Sequence, residues 1–427
     1  MLADSDTRWK WGALTAHRLA PDAARLDGYL LRGRATPTVR QLAEVGVRAD
    51  ALREVTGTEF VRAIDRTRYD ITVLACVGGA VQAMLHGLAR AWEGAPARPV
   101  VATGYVGVVY EKLADGLLLR HGADVVLANS RHDAWRFREV YAGVGASGES
   151  VTECALPFLG GERYAPPAAS EGPRTVVFAA QPSVPDNRAD RTYLLRRAVR
   201  HARRHPGREV LIKLRSKPGE HTTHIEELPY QKLAAKLPGG LPPNCRLVYG
   251  HMGEVLDRTD LLVTVSSTAA LESLHRGIPT AVLTDLGIRE PLGNHHFLGS
   301  GCLASWDQLD AGHLPVADPA WTARQGVAAD GSYATAFDAA RKRITELVAA
   351  DTLPPLAPYY TPETAPHYLP AILARHGLDP QGRPLPGAAR EPGEPSAVRR
   401  AVREAARGAY RHGVQRVAPV VRRLGEL

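Results

Sequence analysis

The stretch that decides the fold is DLLVTVSSTAALESLHRGIPTAVLTD, residues 260–285. Its apolar start, LLVTV, leads into Ser266, Ser267 and Thr268 and then directly into a helical pattern. The sequence GIP at 277–279 ends that pattern, and a second apolar run, TAVL, follows. A buried strand, a helix and another strand in this order are typical of a βαβ unit in a parallel sheet.

The start of this helix carries the first functional signal. Ser266 or Ser267 is placed to be the N-cap, so hydroxyls and unpaired backbone N–H groups gather at the positive end of the helix dipole. Such a helix start binds phosphate readily. Glu272 lies one turn later, where it could reach a ribose hydroxyl. The alternative is an ordinary capped helix with Glu272 as a surface carboxylate.

Short β-branched runs alternate with helical patterns along the rest of the chain as well. In the first 160 residues, four such runs end in turn residues before a helix, and they occupy residues 71–76, 99–103, 124–128 and 150–156. The second half repeats the arrangement from RTVVFAAQ, residues 174–181. We therefore predict an α/β protein with two Rossmann-like, doubly wound domains that face each other across a cleft.

Changes in composition set the predicted boundaries. A stretch rich in proline, glycine and alanine, residues 158–173, separates the two halves. A polar Pro/Gly stretch near the end of the chain is expected to be flexible. The predicted organisation is a first domain at 1–160, a second domain at 174–350, a possible segment at 351–378 that crosses back to the first domain, a flexible linker at 379–395 and a basic helical tail at 396–427.

The first strand is unusually short in the sequence. Only Met1, Leu2 and Ala3 precede Asp4, fewer residues than a central strand normally has. Either the sheet starts short or the start codon lies upstream, and we favour the second explanation.

Composition excludes several classes of protein. The 427 residues are 44% hydrophobic and 23% charged, and no apolar run approaches the roughly 18 residues that a membrane span needs. The first residues lack the pattern of a secretory signal, so we expect a cytoplasmic protein. The four cysteines form no C-x-x-C pair, which argues against a zinc site and a disulfide framework.

The net charge of +8 is concentrated at the end of the chain. Residues 396–427 hold eight arginines and two glutamates, a net of +6, which leaves +2 for the rest. A body so close to neutral lacks the broad basic footprint of a nucleic-acid-binding protein, so we expect no nucleic acid partner. The tail arginines recur at helical spacing, which suits a helix resting on the anionic inner face of a membrane; a solvated arm is the alternative.

The deciding stretch also resembles a known family. Its pattern D-x-x-V-T-x-S-S-T, then E, then G-x-P-x-x-x-L resembles the donor-binding segment of GT-B glycosyltransferases, especially bacterial enzymes that build capsules and other surface polysaccharides. The segments DSDTRWKWG, FAAQPSVP and KLRSKPGEHTTH are similar to an uncharacterised actinobacterial family regarded as glycosyltransferases. These similarities cover most of residues 4–310. They imply inverting or retaining transfer of a sugar from a nucleotide-activated donor, with no cofactor beyond that co-substrate and no metal in most such enzymes.

Three basic residues follow the strand in LIKLRSKPGE. Lys213, Arg215 and Lys217 alternate along the strand end, where their charges could point toward the leaving phosphate. Charges that simply face solvent are the alternative. In capsule and sialic-acid-type members of the family, a K-x-H-P-like loop lies here. This sequence has Pro218 but no histidine before it, which argues against a CMP-linked donor.

Further polar residues follow other strands of the second half. Gln181 ends the first of these strands, where the backbone could meet a nucleotide. His295 and His296 follow the last core strand and could contact the leaving phosphate or the acceptor; solvated or packing histidines are the alternative. His221 and His224 have the spacing of a ligand pair, but no third ligand at diagnostic spacing accompanies them, so we predict no metal site.

The acceptor hydroxyl needs a general base at a strand end of the first half. Asp4 and Asp6 fit best because they follow the first strand, although either could simply cap the next helix. Glu111 and Asp133 are reserve candidates.

Four other residues complete the predicted acceptor side. Lys10 and Trp11 come one turn after the aspartates and could position an acceptor sugar by charge and stacking. Gly104 and Gly107 could let the backbone approach a ligand, while tight turns with positive φ are the alternative.

Our main hypothesis is a GT-B glycosyltransferase that moves a sugar from a nucleotide-sugar donor to a surface-polysaccharide, lipid-linked or other glycan acceptor. The second domain would bind the donor and the first the acceptor. A sugar-nucleotide epimerase of similar build would act on the donor alone, and a non-catalytic nucleotide-sugar-binding or assembly subunit would turn nothing over. The sequence leaves open the donor base and sugar, the acceptor, the stereochemical outcome and the oligomeric state.

Overall fold

The computed structural model describes residues 1–21, 25–33, 35–64, 67–95, 97–107, 112–166, 174–215, 217 and 228–386. The chain forms two compact units. The first contains Met1–Phe158, Arg324–Gly326 and the described chain from Gly331 onward, and the second contains Leu159–Ala323 and Val327–Asp330. No helix among the described residues combines the length and apolar character that a membrane crossing requires.

A seven-stranded sheet forms the centre of the first unit. Its strands are β1 (Leu2–Ala3), β2 (Asp27–Leu31), β3 (Ala51–Val55), β4 (Ile71–Ala75), β5 (Val100–Gly104), β6 (Val125–Ala128) and β7 (Val151–Glu153). Their spatial order is β3-β2-β1-β4-β5-β6-β7, and all adjacent pairs are parallel. The strand order therefore reverses between β1 and β4, as in doubly wound dinucleotide-binding folds.

Helices connect these strands. They are α1 (Asp6–Leu19), α2 (Val39–Val45), α3 (Gly57–Ala63), α4 (Gly78–Ala91), α5 (Leu113–Leu118) and α6 (Arg131–Gly143). Hydroxyl residues start several of them: Ser5 caps α1, Ser130 caps α6, and Thr38 and Thr56 form capping boxes at α2 and α3. Apolar side chains of these helices cover both faces of the sheet, with Phe137 in one layer and the side chains of α1 in the other.

The second unit repeats this topology with six strands. They are β8 (Thr175–Ala179), β9 (Glu209–Lys213), β10 (Cys245–Val248), β11 (Leu261–Thr264), β12 (Thr280–Leu283) and β13 (Leu303–Ala304). Their order is β10-β9-β8-β11-β12-β13, again with parallel pairs throughout. The strand order reverses between β8 and β11. The predicted fold class, two doubly wound α/β domains, is therefore confirmed for each unit taken by itself.

The helices from this part of the chain are mostly short. They are α7 (Arg188–Arg204), α8 (Tyr230–Ala234), α9 (Met252–Leu256), α10 (Ala269–His275), α11 (Trp306–Asp310) and α12 (Pro319–Arg324), with 3₁₀ helices at Glu290–Leu292 and Asn294–Phe297. The strands β8 and β11 are buried almost throughout, which is why the sequence reads there as continuous apolar runs.

From Gly331 the chain again belongs to the first unit, earlier than the boundary at residue 350 that we expected. A 3₁₀ helix, Ser332–Thr335, precedes α13 (Asp338–Val348), which packs against α1 and β7. Helix α14 (Leu369–Ala374) packs against α4. The apolar residues Phe337 and Ile344 join the core beside α1, which explains why α13 belongs there and not to the second sheet.

Residues 379–386 do not form the flexible linker that we expected. Asp379 Oδ1 accepts hydrogen bonds from the N–H groups of Gln381 and Arg383 at 2.9 and 2.8 Å. The Asp379 N–H donates to the Arg383 carbonyl at 2.8 Å, so the segment closes into a turn. The rest of that linker and the basic tail, 387–427, lie outside the described residues.

Candidate functional site

The order of the strands marks one position in each unit where a ligand is expected. In doubly wound sheets, ligands bind beyond the carboxyl ends of the strands, at the switch point where the strand order reverses. In the first unit this point lies between β1 and β4, and Asp4 directly follows β1. In the second unit it lies between β8 and β11, and Gln181 and Ser266 each follow one of these strands by two residues.

Gln181 and Ser266 join the two strand ends of the second unit directly. Gln181 Oε1 accepts from the Ser266 backbone N–H at 2.9 Å, and Gln181 Nε2 donates to Ser266 Oγ at 3.2 Å. Ser266 Oγ in turn donates to the Leu292 carbonyl at 2.5 Å. The side chain of Gln181 therefore holds this switch point together.

The helix start after Ser266 differs from the one expected. The N-cap of α10 is Thr268, whose side chain makes no capping hydrogen bond, so the prediction of Ser266 or Ser267 at that position is wrong by at least one residue. Ser267 Oγ accepts instead from the Ala269 N–H at 3.2 Å, and the Ser267 N–H donates to Thr264 Oγ1 at 3.1 Å. The hydroxyl groups still gather at the helix start.

Glu272 is not a surface carboxylate. Glu272 is 8% exposed and lies in the first turn of α10. At this end of a helix, the positive end of the dipole stabilises a negative charge. A carboxylate and the hydroxyls of Ser267 and Thr268 thus share one helix turn beside the switch point.

Arg191, which sequence reasoning missed, supports the backbone of Gln181. This arginine of α7 is buried, and its Nη1 donates to the carbonyls of Gln181, Pro182 and Pro185 at 3.0, 3.0 and 3.1 Å. Its guanidinium also lies 4.3 Å from the centre of the Tyr230 ring. The sequence could have indicated this role, because helical periodicity places Arg191 on the face of α7 that packs on the core.

The basic residues around the end of β9 lie in different settings. The strand ends at Lys213, whose buried ammonium donates to the Leu214 carbonyl at 2.8 Å. Arg215 and Lys217 come after the strand, and they are half-buried and exposed respectively. The three residues therefore do not alternate along a strand as predicted.

The predicted pair His295 and His296 lies in the 3₁₀ helix after β12, and both residues are half-buried. The ring of His296 packs edge-on against Phe297 and Trp321, with centroid distances of 5.1 and 5.9 Å. The neighbouring Asn294 is fully buried, and its amide makes three hydrogen bonds to the backbone, one to Leu283 at the end of β12 and two to the loop that follows. Asn294 therefore stabilises the loop that carries the histidines.

Asp4 joins the two strand ends at the switch point of the first unit. Its Oδ2 accepts from the Val77 N–H at 2.8 Å, and its Oδ1 pairs with Arg8 at 3.0 Å. The N-cap of α1 is Ser5, whose Oγ accepts from the Arg8 N–H, so neither candidate base is the cap. Asp6 is the first residue of α1 and is half-buried.

Trp11 lies in the core and is not placed to stack on a sugar. It is fully buried, and its Nε1 donates to Asn129 Oδ1 at 3.4 Å. A Cβ on Gly104 would lie 2.8 Å from the Trp11 ring and 2.9 Å from the Leu127 carbonyl oxygen. Packing therefore requires the glycine at position 104, and the approach of a ligand to its backbone stays a prediction.

Lys10 and Gly107 have contacts of their own within the first unit. The Lys10 ammonium lies 4.6 Å from the centre of the Phe158 ring, a cation–π contact. The Gly107 carbonyl accepts from Asn129 Nδ2 at 3.1 Å, and the same amide donates to the Tyr105 carbonyl at 2.7 Å. Asn129 therefore fixes the loop after β5, a role that we did not predict.

Asp133 is fully buried in the first turn of α6, and its N–H donates to Ser130 Oγ at 3.0 Å. This burial removes it as a reserve base for an acceptor from solution. The other reserve base, Glu111, and the histidines His221 and His224 lie outside the described residues.

One group of side chains among the described residues offers the donor atoms of a metal site. His201, His205 and Asp310 place one such atom each within 4.8 Å of the others. His201 Nδ1 lies 2.7 Å from Asp310 Oδ1. Arg197 lies 3.3 Å from the other carboxylate oxygen, Asp310 Oδ2, and Arg208 lies 3.3 Å from His201 Nε2. The two guanidinium groups already supply the positive charge that a metal would bring, so this group fits a hydrogen-bond network better than a metal centre.

Residues 1–347 match the sequence profile of a family described as "Putative glycosyltransferase (DUF6716)". The chain belongs to this family. Both sheets of this DUF6716 member lie within the matched residues, and the match ends inside α13. The predicted similarity to glycosyltransferases is confirmed by this family assignment. No curated protein matches the chain.

Several solved structures resemble this DUF6716 protein at low sequence identity. The S. aureus protein MnaA, in a co-structure with UDP, is 12% identical with a TM-score of 0.47, over 77% of this chain and 90% of that one. The UDP-GlcNAc 2-epimerase from Neisseria meningitidis bound to UDP-GlcNAc is 11% identical with a TM-score of 0.46, over 81% and 99%. The spinosyn rhamnosyltransferase SpnG is 14% identical with a TM-score of 0.41, over 82% and 96%. These values assign neither a substrate nor a reaction to this chain.

Proposed function

We propose that this DUF6716 protein is a glycosyltransferase that moves a sugar from a nucleotide-sugar donor to a glycan acceptor. The donor binds to the second unit and the acceptor to the first. The observation that carries the proposal is the switch point of the second unit, where Gln181 and Ser266 hold two strand ends together beside the hydroxyls of α10. Membership of a family described as glycosyltransferases supports it.

The groups around that switch point suit a nucleotide. Ser267, Thr268 and Glu272 offer hydroxyl oxygens and a carboxylate within one helix turn, a combination that fits phosphate oxygens and a ribose hydroxyl. Strand β9 is the neighbour of β8, so Arg215 and Lys217 follow the adjacent strand. Fixed cations and donors stabilise the charge that builds up on a leaving phosphate.

On the acceptor side, the base that deprotonates the acceptor hydroxyl comes from Asp4 and Asp6. Both lie where β1 ends, at the switch point of the first unit. Because Asp4 also binds Val77 and Arg8, replacing it changes the structure as well as the chemistry. Asp6 accepts a hydrogen bond from the neighbouring Thr7 Oγ1 at 3.4 Å, so both aspartates are tested for stability as well as for turnover.

The first experiment is thermal unfolding of the purified protein with CMP, CDP, UDP, GDP and ADP. A nucleotide at about 100 times its Kd adds about 2.7 kcal/mol to the stability of the folded state. Ser267→Ala removes a hydroxyl at the start of α10, and Ser305→Ala is the matched control, because Ser305 Oγ caps α11 through the Gln308 N–H.

We expect one nucleotide to raise the midpoint of the wild type and of Ser305→Ala, with a smaller shift in Ser267→Ala. If no nucleotide raises the midpoint, or if both variants respond like the wild type, the donor site is not at α10. Incubation with the matching nucleotide sugar and a glycan mixture then identifies the reaction. A glycosylated product supports a transferase, an altered sugar on the nucleotide indicates an epimerase, and binding without turnover favours an assembly subunit.

A further inference from the structure

A cluster of aromatic and acidic side chains in the first unit contains none of the residues discussed so far. Asp115 lies in the first turn of α5, whereas Tyr360 and Tyr368 come from the segment leading into α14. Tyr359 packs on Tyr360. We call Asp115, Tyr359, Tyr360 and Tyr368 the tyrosine cluster.

Hydrogen bonds fix the rings of this cluster. Tyr360 Oη donates to Asp115 Oδ1 at 3.1 Å, and Tyr368 Oη lies 3.1 Å from each oxygen of the same carboxylate. The rings of Tyr360 and Tyr368 meet edge-on, with centroids 5.2 Å apart and an interplanar angle of 76°. Two hydroxyl groups held by one carboxylate leave the aromatic rings little freedom to turn.

One end of the cluster lies near the edge of the first sheet where ligands are expected. Arg120 ties α5 to the end of β5, because its Nε and Nη1 donate to the Gly104 and Gly116 carbonyls at 3.0 and 2.7 Å. The Tyr360 carbonyl lies farther from that edge, 3.0 Å from His86 Nε2 in the third turn of α4. A Cβ on Gly79, at the start of α4, would lie 3.6 Å from Ile372 of α14. Helix α14 therefore packs beside that edge, at which Asp4 follows β1.

Exposure and charge define what the cluster could bind. Tyr368 is 41% exposed, and Tyr360 and Asp115 are half-buried. No arginine, lysine or histidine in the described ranges forms an ion pair with Asp115, whose side chain is bound by tyrosine hydroxyls. A carboxylate has about four acceptor positions, so a further hydroxyl donor can still be accommodated.

We propose that the tyrosine cluster is a subsite for a neutral sugar ring of the acceptor. The exposed face of Tyr368 covers the apolar C–H face of the ring, and Asp115 accepts a hydrogen bond from a sugar hydroxyl. Sugars with carboxylate groups are disfavoured because Asp115 repels them. Since the rings are already ordered, binding loses little side-chain entropy. This inference rests on the proposed function, which assigns the acceptor to the first unit.

Two substitutions at one position distinguish this subsite from a structural tie between α5 and α14. Tyr368→Phe keeps the ring and removes the hydroxyl, whereas Tyr368→Ala removes both. The probe is an array of neutral and uronic-acid-containing bacterial oligosaccharides, with binding measured for the full chain. Tyr193→Ala is the matched control, because Tyr193 is 36% exposed and also donates to an aspartate, Asp285, at 2.9 Å in the second unit.

The wild type, Tyr193→Ala and Tyr368→Phe are expected to bind neutral oligosaccharides, with binding about tenfold weaker in Tyr368→Ala. Asp115→Asn keeps the side-chain size and removes the charge, so it should weaken the preference for neutral over uronic-acid-containing oligosaccharides. This variant tests the inference even if Tyr368→Ala does not fold.

Absence of binding to every neutral oligosaccharide, equal loss in Tyr368→Phe and Tyr368→Ala, or an unchanged charge preference in Asp115→Asn would each overturn the subsite. The nucleotide response of the same samples separates this outcome from failure of the proposed function. A retained nucleotide response without glycan binding removes the subsite alone. Glycan binding that depends on Tyr368, without any nucleotide response, retains the subsite and removes the transferase.

Discussion

Gln181 and Ser266 exchange two hydrogen bonds, at 2.9 and 3.2 Å, across the point where the strand order of the second sheet reverses. They are 85 residues apart in the sequence, and each follows its strand by two residues. The pair therefore sets the spacing between the ends of β8 and β11, where a nucleotide is expected. Arg191 binds the Gln181 carbonyl at 3.0 Å and fixes the backbone on the other side.

Gln181→Ala is expected to lower the free energy of unfolding by about 1–3 kcal/mol, because the N–H of the buried Ser266 loses its acceptor and Ser266 Oγ loses a donor, while Oγ keeps its bond to the Leu292 carbonyl. Urea unfolding measures this loss. Gln181→Glu keeps an acceptor for the Ser266 N–H but replaces the Nε2 donor, so its stability should lie between those of the wild type and the alanine variant. Unchanged stability of both variants would contradict the bridging role.

Asp4→Asn and Asp6→Asn are expected to have different effects. Asparagine at position 4 weakens the pair with Arg8, which is partly exposed and contributes roughly 1 kcal/mol, so this variant should unfold earlier. Asp6→Asn removes a negative charge from the first turn of α1 and should lose no more than about 1 kcal/mol of stability. Its turnover should fall about a hundredfold or more, as expected for removal of a general base. Thermal unfolding and product formation are measured on the same preparations. Full turnover of Asp6→Asn would exclude Asp6 as the base.

Most strands could be predicted from the sequence because buried parallel strands read as apolar runs that end in turn residues. The run at 71–76, for example, corresponds to β4, Ile71–Ala75. We did not predict β2 and β3, and β3 is largely exposed, so it has no such apolar run. The strand order that creates the two switch points depends on pairing between distant segments and could not be predicted. The burial of Trp11 could not be predicted, since it depends on Gly104, which lies on a strand far away in the sequence. For the same reason, the amphipathic pattern of α13 predicts a helix but not which of the two cores it joins.

Gly104→Ala tests the packing interpretation of that glycine. The added Cβ would lie 2.8 Å from the Trp11 ring and 2.9 Å from the Leu127 carbonyl oxygen, so the variant should lose about 1–3 kcal/mol of stability. Adding Trp11→Phe to Gly104→Ala should not restore the lost stability, because the contact with the Leu127 carbonyl oxygen remains. Gly143→Ala is the control, since nothing lies near that glycine at the end of α6. Equal stability of both alanine variants would refute the packing argument.

His201 is expected to make stability depend on pH. Burial lowers the pKa of His201 from 6.5 to about 4, although Asp310 opposes the shift. Between these values the unfolded chain binds the proton and the folded chain does not, so the free energy of unfolding falls as the pH falls from about 6.5 to 4. Above pH 6.5 this contribution is fully present.

His201→Asn removes the titrating group and should flatten the slope of stability against pH in this window, whatever its effect on stability at neutral pH. Urea unfolding at several pH values gives the slope. If the slope of stability against pH between 6.5 and 5 is the same in His201→Asn and the wild type, His201 takes up a proton in the folded state as it does in the unfolded chain.

Asp4 should also influence a histidine that the chain brings back to the first unit. The carbonyl of His376 lies 2.8 Å from the position of a Cβ on Gly57, at the start of α3. Burial lowers the pKa of His376, the charge of Asp4 raises it in part, and Arg375 lowers it. Asp4→Asn removes the opposing charge, so the pKa of His376 should fall further.

Arg375→Gln is the control for this titration, because it removes a positive charge and should raise the same pKa. NMR titration of the His376 ring protons measures both shifts without any substrate. Shifts of opposite sign in the two variants would place the Asp4 carboxylate within electrostatic reach of His376, at the edge where an acceptor is proposed to bind. A pKa that does not change in Asp4→Asn would show that solvent screens the aspartate from His376, and Asp4 would then act through Val77 and Arg8 alone.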